Sequence, residues 1–210
     1  MGERGNREQD SPLMELVART EGLQPWRRVF HAGNGVLIVA ALGTLPIETW
    51  TALVLLGSIL SVLLLMDGLR LTNPKLNRMF FQAFTSLASP REAGKVASST
   101  WYVGGVLLAL LLFPRSVALA GVLVLALADP AAGVVGRAVG TRSFGAGTVQ
   151  GSVTFALVAF LCLLPFAPWW AALAAAVVAT LVEALPWPVD DNLTIPPTAA
   201  GTLVLLTTLL

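Results

Sequence analysis

Asp129 is the residue whose position in the chain most strongly indicates chemistry. It lies inside the apolar segment 116–135 and is followed directly by Pro130. A carboxylate within a membrane-spanning segment is costly, so it indicates a functional site by default. Pro130 lacks a backbone N–H and therefore disturbs the helix at this point. Arg137 and Arg142 follow shortly after it. A carboxylate, a disturbed helix and nearby arginines together indicate a site for a metal ion and phosphate within a membrane protein.

A glycine-rich stretch, residues 133–152, follows Asp129 and is a candidate for contact with phosphate. Glycines allow backbone amides to approach phosphate oxygens closely. The alternative is helix packing, because Gly136-x-x-x-Gly140 matches a motif for close approach of two membrane helices. Packing would explain the glycines but not Asp129. The candidate phosphate-binding residues of this stretch are Gly136, Arg137, Gly140, Arg142, Thr148, Gly151 and Ser152.

A second polar segment lies between two apolar ones and combines both signs of charge. Glu92 lies between Arg91 and Lys95, and hydroxyl residues follow at 98–100. One carboxylate among two cations is suited to metal-bridged phosphates, although an ordinary loop between two helices has the same composition. The spacing alone does not decide between these interpretations.

A third polar segment carries carboxylates close to the C-terminus. Glu183 is followed by the adjacent pair Asp190 and Asp191, and then by Asn192. Two neighbouring carboxylates on a face that is otherwise basic suit Mg²⁺, which usually takes one or two carboxylates together with substrate phosphates. The segment therefore predicts a magnesium site at this pair of carboxylates.

Two segments nearer the N-terminus have competing interpretations. Arg28 and His31 open the first apolar run, where they could bind a ligand or serve as an interfacial anchor. Asp67 and Arg70 are spaced for an ion pair on one helix face. That pair could act in chemistry or simply anchor the end of the helix.

The composition indicates that these residues are positioned by membrane helices. Hydrophobic residues make up 56% of the chain and charged residues 12%, against about 25% charged in an ordinary soluble domain. Apolar runs approach the roughly 20 residues that one spanning helix needs. An all-α, polytopic integral membrane protein with six or seven transmembrane helices is expected. The predicted spans are 33–47, 49–69, 98–113, 116–137, 151–168, 169–187 and 195–210, with a short interfacial helix over 79–87.

The charge distribution predicts the orientation of these spans. With the N-terminus in the cytoplasm, every Lys and Arg except Arg115 falls on the inner side, and Glu48 is the only acidic residue outside. All candidate site residues then face the cytoplasm. The polar segment 1–24 is expected to be partly disordered and to be no cleaved signal peptide, and residues 25–210 to form one transmembrane catalytic domain. Nucleic acid is not an expected partner.

Five segments together resemble a family of CTP-dependent lipid kinases, which includes dolichol kinase, phytol kinase and the CTP-type diacylglycerol kinase. The family is distantly related to the phosphatidate cytidylyltransferases, and the resemblance covers about residues 25–200. The segments are Arg27-Arg28-Val-Phe-His31, Asp67-Gly-Leu-Arg70 with Asn73-Pro and Asn77, Arg91-Glu92 with Ser98-Ser-Thr-Trp-Tyr102, Asp129-Pro-Ala-Ala with Gly136-Arg-x-x-Gly140, and Asp191-Asn192-Leu-Thr-Ile-Pro196.

The resemblance implies an enzyme that transfers a phosphoryl group from CTP to a long-chain isoprenoid or related lipid alcohol, with Mg²⁺ as cofactor. Asp129 and Asp191 would hold the metal ion, and Glu92 or Glu183 would orient the hydroxyl group. The phosphates would be neutralised by Arg91, Lys95, Arg137 and Arg142.

One departure from the family pattern affects the expected activity. The pattern after the glycine-rich loop is Lys-Ser/Thr-x-Glu-Gly-Ser, but here Gly147 and Gln150 replace the Lys and the Glu. Either Arg142 and Glu183 take over their roles, or the enzyme is altered. Two alternatives therefore stay open: nucleotidyl transfer that makes a CDP-lipid, and a catalytically altered membrane protein that binds lipid. The sequence leaves the oligomeric state and the identity of the alcohol undetermined.

Overall fold

The computed structural model describes residues 13–22, 24–186 and 189–209, and the regular structure there is almost entirely helical. A small antiparallel pair of strands is the exception, with Ser143 opposite Thr148. The elements are α1 (13–19), α2 (Pro25–Thr44), α3 (Thr49–Thr72), α4 (Pro74–Ala83), a 3-10 turn (Pro90–Ala93), α5 (Ser98–Leu112), α6 (Arg115–Val139), β1 (Ser143–Phe144), β2 (Gly147–Thr148), α7 (Val149–Leu163), α8 (Trp169–Ala184) and α9 (Asp191–Leu209).

The all-α prediction is confirmed, and each predicted apolar segment lies on one of the helices α2, α3 and α5–α9. Helix α2 begins at Pro25 rather than near 33, because proline is favourable in the first turn of a helix. The short helix predicted at 79–87 is displaced to Pro74–Ala83. Asn73 sets that start, since its side chain accepts hydrogen bonds from the amides of Lys75 and Leu76.

In the part of the chain that the structure describes, two helices, α3 and α6, are long and apolar enough to cross a membrane, judged by length and composition. They differ in how much protein covers them. In their most apolar 18-residue windows, 56% of α6 is buried inside the protein but only 17% of α3. The outer face of α3 exposes large side chains such as Leu55, Val62 and Leu65. A long exposed apolar face of this kind marks an interaction or membrane surface.

Helix α6 is the centre of the core. It packs against α2, α5, α7 and α9, and its buried face is built largely from small side chains and valine. Close helix contacts depend on two glycines, because a Cβ at Gly121 would overlap the Pro196 carbonyl and one at Gly105 would overlap the Asn192 carbonyl. Small residues at these crossings allow α9 to approach both α5 and α6 closely.

The N-terminal segment packs beside α4. Val17 is buried in a small cluster with Phe81 and Ala88, and partly buried Leu13 and Leu16 extend it. Within the segment 1–24, the part predicted to be disordered is residues 1–10, and these lie outside the described residues. Residues 13–22 are instead tied to the domain, so that segment forms one wall of the site described next.

Candidate active site

A cavity of about 1450 Å³ lies at the end of the bundle where α2, α5, α7 and α9 begin and α6 and α8 end. The chain segments that bound it are far apart in sequence, yet each contributes polar side chains. The predicted site residues that line it are Arg28, His31, Arg91, Glu92, Lys95, Asp129, Gly136, Arg137, Thr148, Gly151, Glu183, Asp191 and Asn192.

Five predicted residues do not line this cavity. Asp67 and Arg70 are buried behind it, and Ser152 is buried in helix α7. Gly140 and Arg142 lie on the exposed connection between α6 and β1. Arg142 is therefore not placed to replace the missing lysine, whereas Glu183 does face the cavity.

Acidic side chains from two helices meet in the cavity. Asp129 of α6 lies within electrostatic range of Asp190 and Asp191 at the start of α9. Asp190 Oδ1 accepts hydrogen bonds from the Asn192 backbone amide at 3.1 Å and from the Asn192 side chain at 2.5 Å. Three carboxylates so close together repel one another. A bound cation would relieve this repulsion.

Two buried oxygens line the cavity wall: Glu183 Oε2 has no hydrogen-bond donor among the described residues, and Asn192 Oδ1 has only the ring of His31 beside it. Such oxygens suit a cation that arrives with a ligand. Within the described part of the chain, however, no three His, Cys, Asp or Glu side chains are grouped closely enough to hold a metal ion alone. The residues therefore fit a Mg²⁺ that keeps substrate phosphates as ligands, and do not fit an all-protein metal cage.

Cationic side chains surround the carboxylates. Arg28 Nη1 donates to the Pro130 carbonyl at 3.0 Å, and its guanidinium lies against Gly133 of α6, where a Cβ would overlap it. Arg137 donates to the Gly22 carbonyl in the N-terminal segment. Arg27, Arg28 and Arg137 all lie within electrostatic range of Asp129, so the positive charge of this wall faces the acidic cluster.

A hydrogen-bonded chain ties α2 to the loop before α5. Arg27 Nη2 donates to Ser98 Oγ at 2.7 Å, and Ser98 Oγ donates to Glu92 Oε1 at 2.8 Å. Glu92 also lies 3.8 Å from Arg27 and accepts from the Ser98 amide. One Glu92 oxygen is therefore fully occupied by protein groups, which favours a positioning role for this residue.

The Asp67–Arg70 pair forms behind the cavity, as their spacing predicts. Arg70 Nε lies 2.6 Å from Asp67 Oδ1, and Arg70 also donates to the carbonyls of Glu92 at 2.7 Å and Lys95 at 2.6 Å. Asp67 Oδ2 accepts from Thr100 Oγ1 at 2.6 Å. The pair thus holds the loop that carries Arg91, Glu92 and Lys95 toward the cavity.

The glycine-rich stretch serves packing and the cavity wall together. A Cβ at Gly136 would lie 2.9 Å from Thr148 Oγ1, and one at Gly151 would lie 3.2 Å from the Ala132 carbonyl, so both glycines let α6 and α7 approach. Gly145 adopts a φ of +56° in the hairpin loop, where the adjacent Ala146 amide donates to the Ala184 carbonyl at 2.8 Å. This contact joins the hairpin to the end of α8.

Of the two departures from the lipid-kinase pattern, Gly147 lies in strand β2 of this hairpin and Gln150 in the first turn of α7. Gly147 lines the cavity, and a Cβ there would meet Glu183 Oε1 at the ordinary contact distance of 3.9 Å. Gln150 is turned toward the hairpin, because its Oε1 accepts from the Thr141 amide at 3.2 Å and its Nε2 donates to Thr141 Oγ1 at 2.7 Å. Glu183 is therefore the acidic group nearest to the position of the missing lysine.

Arg27 and Asp190 line the cavity but were not among the predicted site residues. The helical spacing of Arg27 and His31, four residues apart, would have placed both on one face of α2. Asp190 belongs to the acidic pair with Asp191, but the sequence pattern does not indicate a separate role for it. Its hydrogen bonds to Asn192 depend on the local turn before α9.

The assembled site can neutralise a polyanion and hold a cation with it. Its cations come from α2, the 90–95 loop and α6, and its carboxylates from the N-terminal segment, the 90–95 loop, α6, α8 and the start of α9. Arrangements of this kind supply the positioning and charge stabilisation that phosphoryl transfer requires. Comparisons with protein-family models, with curated proteins and with solved structures find no match to this chain.

Proposed function

We propose that this chain is an integral membrane lipid kinase that transfers the γ-phosphoryl group of a nucleoside triphosphate to a long-chain lipid alcohol. By resemblance the triphosphate is CTP. One observation carries the proposal: among the described residues, five cations and six carboxylates from separate segments line a single cavity at one end of an otherwise apolar bundle. These residues are Arg27, Arg28, Arg91, Lys95, Arg137, Glu21, Glu92, Asp129, Glu183, Asp190 and Asp191.

We infer that α2, α3 and α5–α9 all cross the bilayer, with the N-terminus and the cavity on the cytoplasmic side. The exposed apolar face of α3 supports this arrangement. So does the charge distribution, in which Arg115 is the only cation of the described residues that lies at the opposite end. Arg115 donates to the Ile47 carbonyl at 2.5 Å and to the Leu42 carbonyl in the last turn of α2. It therefore satisfies a backbone carbonyl at the C-terminal end of that helix. A kinase with this topology would take its nucleotide from the cytoplasm and its alcohol from the membrane.

The phosphates of the nucleotide would lie among the cations. Arg91 and Lys95 are presented by a loop that Arg70 fixes from behind, while Arg27 and Arg28 project from the first turn of α2. Such fixed groups stabilise charge without reorganising during the reaction. Asp129 and Asp191 would hold Mg²⁺, which supplies neutralisation of the β- and γ-phosphate oxygens when bound.

Glu183 is the residue best placed to orient the acceptor hydroxyl. Its Oε2 has no donor among the described residues, whereas Glu92 already accepts two hydrogen bonds from Ser98. In the transfer, the alcohol oxygen bonds to the γ-phosphorus, the bond from that phosphorus to the leaving oxygen breaks, and the hydroxyl proton passes to the carboxylate. A lipid phosphate and a nucleoside diphosphate are the products.

The test uses the purified protein in phospholipid vesicles that contain a C20 or longer prenol, Mg²⁺ and CTP labelled at either the γ- or the α-phosphorus. Label in lipid from γ-labelled CTP alone is the expected result. Label from α-labelled CTP would instead mean nucleotidyl transfer to a CDP-lipid, and no label from either would exclude both reactions. Vesicles holding the Asp129→Asn protein provide the blank, since that variant keeps the protein but removes the charge.

A further inference from the structure

A second hollow lies beside the cavity and differs from it in character. It is an open groove of about 410 Å³ between α2 and α6. Arg28 and Pro130 line it together with five apolar residues, which are Val29, Ala32, Ala131, Val134 and Val135. Arg28 and Pro130 also line the cavity. The two hollows therefore share one wall, which is polar on one side and apolar on the other.

The shared wall is built from the hydrogen bond between Arg28 Nη1 and the Pro130 carbonyl, at 3.0 Å. Asp129, the residue before Pro130, faces the cavity, whereas Ala131, the residue after it, lines the groove. Neighbouring residues of α6 thus line two different surfaces, Asp129 the charged cavity and Ala131 the apolar groove. A molecule that crossed this wall would pass from the apolar groove into the cavity that Asp129 lines.

The position of the groove along the helices indicates its environment. Trp26 is 67% exposed one residue before the arginine pair, and tryptophan and arginine together mark the headgroup level of a membrane. Val29 and Ala32 lie within one further turn of α2, which advances about 5.4 Å. Val29 and Val134 are both exposed. The groove therefore occupies the outermost part of the hydrocarbon layer, where the chain of a lipid begins.

We propose that this groove binds the first part of the hydrocarbon chain of the acceptor alcohol and guides its hydroxyl past Arg28 to Asp129. The proposal rests on the proposed function and adds the route by which the lipid reaches the site. A lipid alcohol carries no headgroup charge, so its hydroxyl can pass the guanidinium and the Pro130 carbonyl as a hydrogen-bonding group. Its chain meets the Val and Ala side chains that line the groove beside them.

The first experiment closes the groove and varies the length of the substrate. Val134→Trp places a large ring over the groove from an exposed position, and Ala131→Phe is a second variant with the same purpose. For a C20 or longer prenol, KM should rise by roughly ten-fold or more, because the chain is displaced while the reacting groups are untouched. For a short, detergent-soluble alcohol, kcat/KM should change by less than about two-fold. Val153→Trp, at a similarly exposed site on α7, is the matched control.

The second experiment reads binding without catalysis. A prenol with a photoreactive diazirine close to its hydroxyl end should label peptides that contain residues 29–32 and 131–135. Unlabelled prenol should displace it, and Val134→Trp should abolish it. Labelling elsewhere, equal displacement by phosphatidylcholine, or dimers that Val134→Trp dissociates would each overturn the proposal. The last two outcomes would identify the groove as a bulk-lipid site or as an interface between copies.

The two experiments separate this inference from the proposed function. Specific labelling of the groove without transfer of label from CTP would leave the lipid site and remove the kinase assignment. Transfer of γ-label that is insensitive to both groove variants, at every chain length, would retain the kinase and remove the groove.

Discussion

The guanidinium Nε of Arg70 lies 2.6 Å from the carboxylate of Asp67, and the two side chains are only 4% and 5% exposed. Arg70 continues from this pair to the carbonyls of Glu92 and Lys95. Two residues one turn apart on α3 therefore determine where a loop from elsewhere in the chain presents its charges. This pair is a structural support for the site rather than a part of its surface.

Removing Arg70 should destabilise the protein strongly. In Arg70→Ala the buried Asp67 carboxylate loses its counter-ion, which typically costs about 3–5 kcal/mol of unfolding free energy. The matched control is Arg19→Ala, which breaks the exposed pair with Glu15 and should cost less than about 1 kcal/mol. Thermal unfolding of the detergent-solubilised variants provides the measurement. Equal effects of the two substitutions would show that the buried pair does not hold the loop.

Asp129 should be required for activity and not for folding. Asp129→Asn preserves the size of the side chain but removes its charge, so lipid phosphorylation should fall by about 100-fold or more while the unfolding temperature stays within a few degrees. Glu48→Gln, at the opposite end of the bundle, is the control and should keep full activity. Unchanged turnover in Asp129→Asn would rule out a metal-binding or catalytic role for this residue.

Two glycines of the hairpin should respond very differently to alanine. Gly145 has a φ of +56°, and a Cβ there would overlap the Ala184 carbonyl, so Gly145→Ala should cost about 1–3 kcal/mol or more. Gly147 has no positive φ, and the nearest atom to its Cβ would be Glu183 Oε1 at 3.9 Å. Gly147→Ala should therefore leave the unfolding temperature unchanged. A loss of stability at Gly147 as large as that at Gly145 would contradict the backbone conformations described.

Restoring the missing charged pair should raise turnover only when both residues are restored. The backbone at Gly147 accepts a side chain, so Gly147→Lys is feasible and would add a cation beside Glu183. Gln150→Glu adds the opposite charge while an oxygen still accepts from the Thr141 amide. Groups in one network are non-additive, so the double variant should exceed the sum of the single effects.

The measurement for this prediction is lipid phosphorylation by the wild-type protein, the two single variants and the double variant at saturating CTP and Mg²⁺. A folded double variant no faster than wild type would indicate that the site works around Glu183, or that the chain is no kinase. Glu183→Gln in both backgrounds separates these two cases, because only the rewired enzyme would lose its activity through that change.

The orientation of the protein is testable by cysteine labelling in intact cells. Cys162 is the single cysteine of the chain, so Cys162→Ala gives a background without thiols. An impermeant reagent should label cysteine introduced at position 48 and leave position 142 unlabelled until the cells are opened. Labelling of position 142 from outside would place the cavity on the other side of the membrane and contradict its access to cytoplasmic nucleotide.

The helices and most of the cavity residues could be predicted from local sequence. Long apolar runs predict helices, and ionisable residues within or beside those runs, such as Asp129 and Asp191, predict the site, because a charge in an apolar segment is costly and indicates function by default. The start of α4 at Pro74 instead of 79 shows the limit of this reasoning. A cap such as Asn73 acts through hydrogen bonds that hydrophobic periodicity does not report.

Only the tertiary structure decided which charged residues share the cavity and which support it. From the sequence alone, Arg70 and Arg91 could both have bound phosphate. In the structure Arg70 is paired with Asp67 and donates to loop carbonyls, whereas Arg91 lines the cavity. Arg142 lies outside the cavity, on the exposed connection between α6 and β1. Such partners are distant along the chain, and contacts between distant segments depend on how the helices pack rather than on the residues beside them.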